Sequence, residues 1–139
     1  MLTHWFVRLD ILIHLLFIGN KTMGKLSTHV LDTSIGKPGK DISIQLFRVS
    51  GAKSELLTTR LTNSDGRCDE PLLEGDQLKM GEYQLEFDIG AYFAKSNPSL
   101  PEPAFLNIVV IRFQVANALE NYHVPLVVTP WSYSTYRGS

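Results

Sequence analysis

The stretch DISIQLFRV, residues 41–49, decides the fold class because its apolar and polar side chains alternate. A two-residue period is typical of a β-strand that buries one face and exposes the other. EYQLEFD, residues 82–88, repeats the pattern, and LNIVVIRFQV, residues 106–115, is long, β-branched and almost continuously apolar. We therefore expect a protein built mainly from β-strands.

Weaker strand patterns, separated by turns rich in Gly, Pro, Asn and Asp, fill the rest of the chain from Leu26 onward. Only Ile89–Ser96 suggests a helix, which should end at Asn97 because the residue before a proline resists helical geometry. The pattern predicts an all-β fold, an antiparallel β-sandwich with one short helix. The weaker strands are LSTHVLD (26–32), ELLTTRLT (55–62), HVPLVVT (123–129) and SYSTY (132–136).

Length, charge and cysteine content exclude several classes of protein. A chain of 139 residues is long enough for one domain with a hydrophobic core. Its formal net charge is -1 and it has no basic runs, so nucleic acid is a poor candidate for a partner. Cys68 is the single cysteine, which rules out an internal disulfide framework and the usual multi-cysteine zinc sites.

The segment before the first strand is apolar but interrupted by charged residues. It is too short and too interrupted for a transmembrane helix, so we expect no membrane association. It lacks the cleavage pattern of a secretory signal. Its match to an N-terminal peroxisomal signal is defective. The alternative to a targeting segment is that translation begins at Met23. We divide the chain into an N-terminal extension (1–22) and a domain (23–139). We expect a cytoplasmic location, or a periplasmic or peroxisomal one if the extension is a targeting segment.

Two histidines and one arginine are the residues best suited to chemistry. His29 lies within a predicted strand, His123 begins an apolar strand, and Arg67 closes the turn NSDGR. Both histidines can titrate near neutral pH, yet a single strand histidine is more typical of a structural role, and an arginine at a turn is more typically solvated. A zinc site formed by His29, His123 and Cys68 has no support in their spacing. The chain contains no nucleophile-elbow, phosphate-loop or zinc-helix motif.

The last strands carry apolar residues on both faces. HVPLVV, residues 123–128, lacks the polar face that a terminal strand of a solitary sandwich should keep. Trp131, Tyr133 and Tyr136 follow shortly after. This pattern indicates that a second chain covers the outer face. The alternative is a locally thicker core within one chain.

Four sequence blocks form a pattern that is more specific than any single residue. They are LSTHVLD (26–32), TNSDGRCDEPL (62–72), NYHVPLVVTP (121–130) and YSTYRGS (133–139). Together they resemble the 5-hydroxyisourate hydrolases, the enzyme branch of the transthyretin family, from Leu26 to Ser139. The closing YRGS is the most specific element, because transthyretin itself lacks that ending and lacks the paired histidines.

The resemblance implies a fold and an assembly. The fold would be a transthyretin-like antiparallel β-sandwich, with two four-stranded sheets packed face to face and one short helix. The assembly would be a homotetramer, a dimer of dimers, with active sites in the channel where the dimers meet. This agrees with the two-sided apolar pattern of the last strands.

The resemblance also implies an activity, the hydrolysis of 5-hydroxyisourate to 2-oxo-4-hydroxy-4-carboxy-5-ureidoimidazoline in urate degradation, without a metal or an organic cofactor. The two histidines would share the proton transfers, the arginine of the turn would stabilise the developing negative charge, and the final serine would hold the water or a histidine through its hydroxyl or carboxylate. The implied catalytic residues are His29, Arg67, His123 and Ser139, and the implied substrate-binding residues are Tyr136, Arg137 and Gly138.

Two other functions are compatible with a β-sandwich. A transthyretin-like carrier of small molecules would share the fold, but it would not need the paired histidines or the closing tetrapeptide. An interaction module would explain the two-sided last strands, but it would leave the four blocks unexplained. Turnover distinguishes the enzyme from both alternatives.

Overall fold

A computed structural model of the protein describes residues 24–139. The predictions of an extension, a targeting segment or a start at Met23 concern residues that lie outside this range. The described part forms eleven strands, one 3-10 helix and one α-helix. In chain order they are β1 (Lys25–Ser27), β2 (Val30–Asp32), β3 (Lys37–Pro38), β4 (Ser43–Ser50), β5 (Lys53–Leu61), β6 (Leu73–Glu74), the 3-10 helix (Gly75–Gln77), β7 (Gly81–Asp88), α1 (Ile89–Ser96), β8 (Ile108–Val115), β9 (Tyr122–His123), β10 (Leu126–Val128) and β11 (Tyr133–Thr135).

One layer of the molecule is an antiparallel sheet with the strand order β5-β4-β7-β8. Ile44, Leu46, Leu85 and Phe87 are fully buried, and the residues between them are partly exposed. Because every second side chain of a strand points to the same face, these residues line one side of the core. The strand predictions for DISIQLFRV and EYQLEFD are confirmed.

The opposite layer is a row of strands that is interrupted in the middle. It consists of a four-stranded sheet, β11-β10-β2-β3, and a three-stranded sheet, β6-β1-β9. Hydrogen bonds from Val124 N to Ser27 O (2.9 Å) and from Leu126 N to His29 O (2.8 Å) connect the two sheets. Pro125 lies in the interruption, and it has no backbone N–H that could donate a hydrogen bond to a neighbouring strand. The predicted two-layer sandwich is confirmed, although β1–β9 and β2–β10 pair in parallel.

The helix α1 has the bounds that the sequence predicts, Ile89–Ser96. The Asp88 side chain caps its first turn by accepting a hydrogen bond from Ala91 N at 3.3 Å. The helix ends with Asn97 as its C-cap, directly before Pro98. Within residues 24–139, no helix is long and apolar enough to cross a membrane.

A hydrogen bond to a buried carboxylate ties α1 to the opposite layer. The Tyr92 hydroxyl donates to Asp32 Oδ2 at 2.7 Å, and Asp32 is only 1% exposed. The other carboxylate oxygen accepts a hydrogen bond from Ser34 N at 3.0 Å. Burial raises the pKa of the Tyr92 hydroxyl, and the Asp32 carboxylate raises it further. The phenol therefore stays a donor, and the helix is fixed to β2.

Three aromatic side chains near the end of the chain remain uncovered. Trp131, Tyr133 and Tyr136 are 56%, 46% and 59% exposed, whereas Leu126 and Val128 of the neighbouring strand are fully buried. A thicker core within one chain therefore does not account for the aromatic residues. The association of chains stays a prediction.

Candidate active site

Strand pairing brings the sequence-predicted site residues into one row across the interrupted layer. His29 forms an isolated antiparallel bridge with Arg67, and His123 forms one with Gly138. Between these two bridges, Ser27 of β1 pairs in parallel with His123 of β9. Residues from four distant parts of the chain thus become neighbours.

The alternation of side chains places this row on the outer face of the layer. Thr28 and Val30 are buried, so their neighbour His29 points away from the core. Val124 is buried in the same way, so His123 also points outward. Both histidines are half-buried, at the surface of a single chain.

The turn before Arg67 is held rigidly by its own hydrogen bonds. Asn63 Oδ1 accepts from Asp65 N (2.9 Å) and from Arg67 N (3.2 Å), and Asn63 N donates to Arg67 O at 2.7 Å. Gly66 has φ of +72°, and a Cβ there would lie 2.3 Å from Val30 O, so only glycine fits. The sequence NSDGR therefore determines where the arginine stands.

His29 is fixed by this turn. Its Nε2 lies 2.8 Å from the carbonyl oxygen of Asp65. Burial lowers the pKa of His29 from its ordinary value of 6.5, and the positive charge of Arg67 lowers it further; the hydrogen bond to Asp65 and the charge of that residue act in the opposite direction. The net result is an imidazole that is mostly neutral at pH 7.

His123 is held by a side chain that sequence reasoning missed. Its Nδ1 lies 2.8 Å from the hydroxyl oxygen of Ser27. Burial lowers the pKa of His123, and the nearby charges of Arg67 and His29 lower it further. Arg67 therefore acts electrostatically on both histidines. Two neutral imidazoles beside one guanidinium offer two bases and a rigid set of donors for an anion.

The C-terminal tail runs alongside His123. Gly138 N donates to His123 O at 2.7 Å, and His123 N donates to Gly138 O at 3.4 Å. A Cβ at Gly138 would lie 3.0 Å from His123 Cδ2, so the glycine allows the tail to approach the imidazole closely. Ser139 is exposed and follows directly, at the end of this row.

Arg137 lies on the other side of the tail. Because Gly138 is paired with His123, the preceding side chain points to the opposite face. Arg137 Nη2 donates to Glu120 Oε2 at 3.0 Å, and its guanidinium lies 4.2 Å from the centre of the Tyr122 ring. The structure thus brings His29, Arg67, His123 and Gly138 together, whereas it directs the Arg137 side chain away from them.

The other two residues that the sequence analysis singled out are Tyr136 and Cys68. Tyr136 is exposed on the tail. Cys68 packs against the core, and burial raises the pKa of its thiol, so the thiol stays protonated. In the described part of the chain, no three His, Cys, Asp or Glu side chains are arranged to hold a metal ion. The imagined zinc site of His29, His123 and Cys68 is therefore not found.

Only their positions in the sequence indicate that Ser27 and Asn63 could belong to the site. Ser27 stands two residues before His29, on the same face of a predicted strand, and Asn63 opens the turn that ends in Arg67. Neither position reveals the hydrogen-bond partner, because the parallel pairing of β1 with β9 has no local signal in the sequence.

A comparison with known protein families finds a match over most of the chain. A sequence model described as the HIUase/Transthyretin family matches residues 26–138. The chain belongs to the HIUase/Transthyretin family. The family resemblance seen in the four sequence blocks is confirmed.

Individual members of the HIUase/Transthyretin family are similar over most of the chain. The 5-hydroxyisourate hydrolase of Ralstonia nicotianae is 56% identical over 117 residues, which cover 84% of this chain and 100% of the relative. The solved structure of Klebsiella pneumoniae 5-hydroxyisourate hydrolase is 32% identical, with a TM-score of 0.68, and the match covers 84% of this chain and 94% of that chain. A crystal structure of (S)-allantoin synthase is 40% identical with a TM-score of 0.80; the match covers 86% of this chain but only 45% of that longer chain.

Proposed function

We propose that the protein hydrolyses 5-hydroxyisourate to 2-oxo-4-hydroxy-4-carboxy-5-ureidoimidazoline. The observation that carries the proposal is the cluster of His29, His123 and Arg67 on one outward face, where burial and the charge of Arg67 lower the pKa of both histidines. The 56% identical relative named 5-hydroxyisourate hydrolase supports the choice of substrate.

The reaction requires a base, an acid and stabilisation of an oxyanion. One neutral imidazole takes a proton from water while the water oxygen attacks the ring amide carbonyl. The carbonyl oxygen gains negative charge in the tetrahedral intermediate, and the Arg67 guanidinium stabilises it through its N–H donors. The C–N bond of the ring then breaks, and an imidazolium returns the proton to the leaving nitrogen. The protons balance, and the enzyme ends in its starting state.

We assign the tail to substrate binding and to the orientation of these groups. Gly138 lies against His123. This contact supports a position of Ser139 beside the reacting water, which the Ser139 hydroxyl or carboxylate would hold. Tyr136 and Arg137 are proposed to bind substrate, as the resemblance implies, and the Arg137 side chain would then have to leave Glu120.

We propose a homotetramer, a dimer of dimers, as the active form. Its support is the exposure of Trp131, Tyr133 and Tyr136, and the position of the histidine cluster on an open outer face that a second chain would close. We further propose that residues 23–139 are the hydrolase domain and that the protein acts in the cytoplasm.

The test is the decay of freshly generated 5-hydroxyisourate, followed by ultraviolet absorbance, with and without the purified full-length chain. We expect marked acceleration that is lost in His123→Gln, with unchanged thermal stability of the variant. His14→Gln, which lies outside the residues matched by the family, serves as the histidine control and should keep full activity. A well-folded wild-type protein that leaves the decay unchanged would favour the small-molecule carrier.

A further inference from the structure

The two histidines of the site use different ring nitrogens for their hydrogen bonds. His29 presents Nε2 to the Asp65 carbonyl oxygen at 2.8 Å. A carbonyl oxygen accepts and never donates, so Nε2 of His29 carries a proton in both charge states. The lone pair of neutral His29 is therefore on Nδ1, next to its own backbone.

His123 has the opposite arrangement. Its Nδ1 faces the Ser27 hydroxyl at 2.8 Å, and Nε2, at the far end of the ring, is left for other partners. A hydroxyl can accept or donate, so Ser27 can accept a hydrogen bond from Nδ1–H. In that form the lone pair of His123 is on Nε2, the ring nitrogen that reaches furthest from the backbone.

The backbone holds Ser27 and His123 in register. The two residues are paired across β1 and β9, and Val124 N donates to Ser27 O at 2.9 Å. The adjacent Thr28 side chain, which is buried, donates to Val124 O at 2.7 Å. These bonds fix the backbone of Ser27 relative to the backbone of His123.

We propose that Ser27 is a positioning residue that keeps the proton of neutral His123 on Nδ1, so that His123 takes the proton from water at Nε2. The proposal rests on the proposed hydrolysis. In the cycle, Nε2 gains a proton from water, Ser27 stays hydrogen-bonded to Nδ1–H of the imidazolium, and Nε2 gives that proton to the leaving ring nitrogen. Ser27 neither gains nor loses a proton.

The first measurement is the nitrogen NMR spectrum of the full-length protein with ¹⁵N-labelled histidine, above the pH at which the histidines titrate. The His123 signals are assigned by their absence in His123→Gln. We expect the proton of neutral His123 on Nδ1 and that of His29 on Nε2. In Ser27→Ala, His123 should shift towards the Nε2–H form, which isolated histidine prefers. A wild-type His123 with its proton on Nε2 would overturn the proposal.

The second measurement is turnover. Ser27→Ala should lower kcat about three- to tenfold, the range expected for one lost hydrogen bond, with KM changed less than about twofold. Ser27→Thr keeps a hydroxyl and should recover most of the loss. Ser50→Ala removes an exposed serine from β4 of the opposite layer and should behave as wild type.

The outcomes separate this inference from the proposed function. If Ser27→Ala keeps wild-type kcat, or if its loss appears in KM alone, Ser27 does not position the base. If the wild-type protein does not accelerate the decay of 5-hydroxyisourate at all, the hydrolysis itself is wrong, and the catalytic part of the inference falls with it. The NMR spectrum needs no substrate and still tests the Ser27–His123 bond by itself.

Discussion

At the scale of residues, the site depends on how closely polar groups approach two imidazoles. His29 and His123 were recognisable in the sequence as histidines inside strands, and Arg67 as the end of a turn. The lowering of both pKa values was not recognisable, because it arises from burial and from the charge of Arg67 on both rings. Such effects depend on distances between segments far apart in the chain.

Gly138→Ala tests the close contact of the tail with His123. The new Cβ would lie 3.0 Å from His123 Cδ2 and 3.1 Å from its Cβ, so the ring or the tail must move. We expect kcat to fall by between about tenfold and a hundredfold, as misplacement of a catalytic group does. Gly36→Ala, at φ of +65° with no atom within 4 Å, should cost about 1 kcal/mol of stability and leave kcat intact. Equal kcat in both variants would contradict the prediction.

Arg67→Gln tests the electrostatic link between the arginine and the histidines. Because Arg67 lowers both histidine pKa values, its removal should raise both, as measured by NMR titration. Arg60→Gln is the matched control and should leave them unchanged. Unaltered histidine pKa values in Arg67→Gln would refute the link.

The same pKa shifts predict how stability depends on pH. The folded pKa of each histidine lies below the unfolded value of 6.5, so the unfolded chain binds more protons between the two. The free energy of unfolding should therefore be highest above 6.5 and fall as the pH drops through the folded values. Denaturant titrations of wild type and His123→Gln at pH 5 and pH 7.5 measure it, and a smaller pH effect is expected in the variant.

At the scale of elements, the sequence predicts long strands and the helix better than short strands and turns. β4, β7 and α1 follow from periodicity and from a proline, which act locally. The strands β3 and β6, with two residues each, have no periodicity to detect. The turn NSDGR was predictable as a turn, but its role as a rigid support was not, since that role depends on the bonds made by Asn63.

Asn63→Ala removes the oxygen that accepts hydrogen bonds from Asp65 N and Arg67 N. We expect a loss of about 1–2 kcal/mol in the free energy of unfolding and a marked fall in kcat, because Arg67 and the carbonyl that holds His29 both lose their support. Asn117→Ala removes a similar turn bond, from Leu119 N at 3.0 Å. It should cost similar stability without affecting kcat, and the same kcat loss there would contradict the prediction.

At the scale of the whole molecule, the two-layer architecture was predictable from the number and pattern of the strands, whereas the pairing within the interrupted layer was not. Parallel neighbours such as β2 and β10 come from opposite ends of the domain, and no local rule specifies such a pair. The need for a partner chain was suggested by apolar residues on both faces of the last strands. The exposed aromatic residues are consistent with it.

Tyr133→Asp tests the proposed assembly. Tyr133 lies on the edge strand β11 and is 46% exposed, so a charge there should weaken a contact between chains. We expect the mass of a tetramer for wild type by light scattering and a smaller mass for the variant. Met80→Lys, at a residue that is 68% exposed, should keep the wild-type mass. A monomeric wild-type protein would exclude the tetramer.

The parallel pairing of β1 with β9 has a consequence for biosynthesis. Ser27 and His123 are separated by 96 positions in the chain, so the ribosome must deliver almost the whole domain before the two can meet. Contacts of such high sequence separation form slowly, and until then the first strands expose unpaired edges that a chaperone could shield. The Ser27–His123 pair therefore cannot form until β9 has been made.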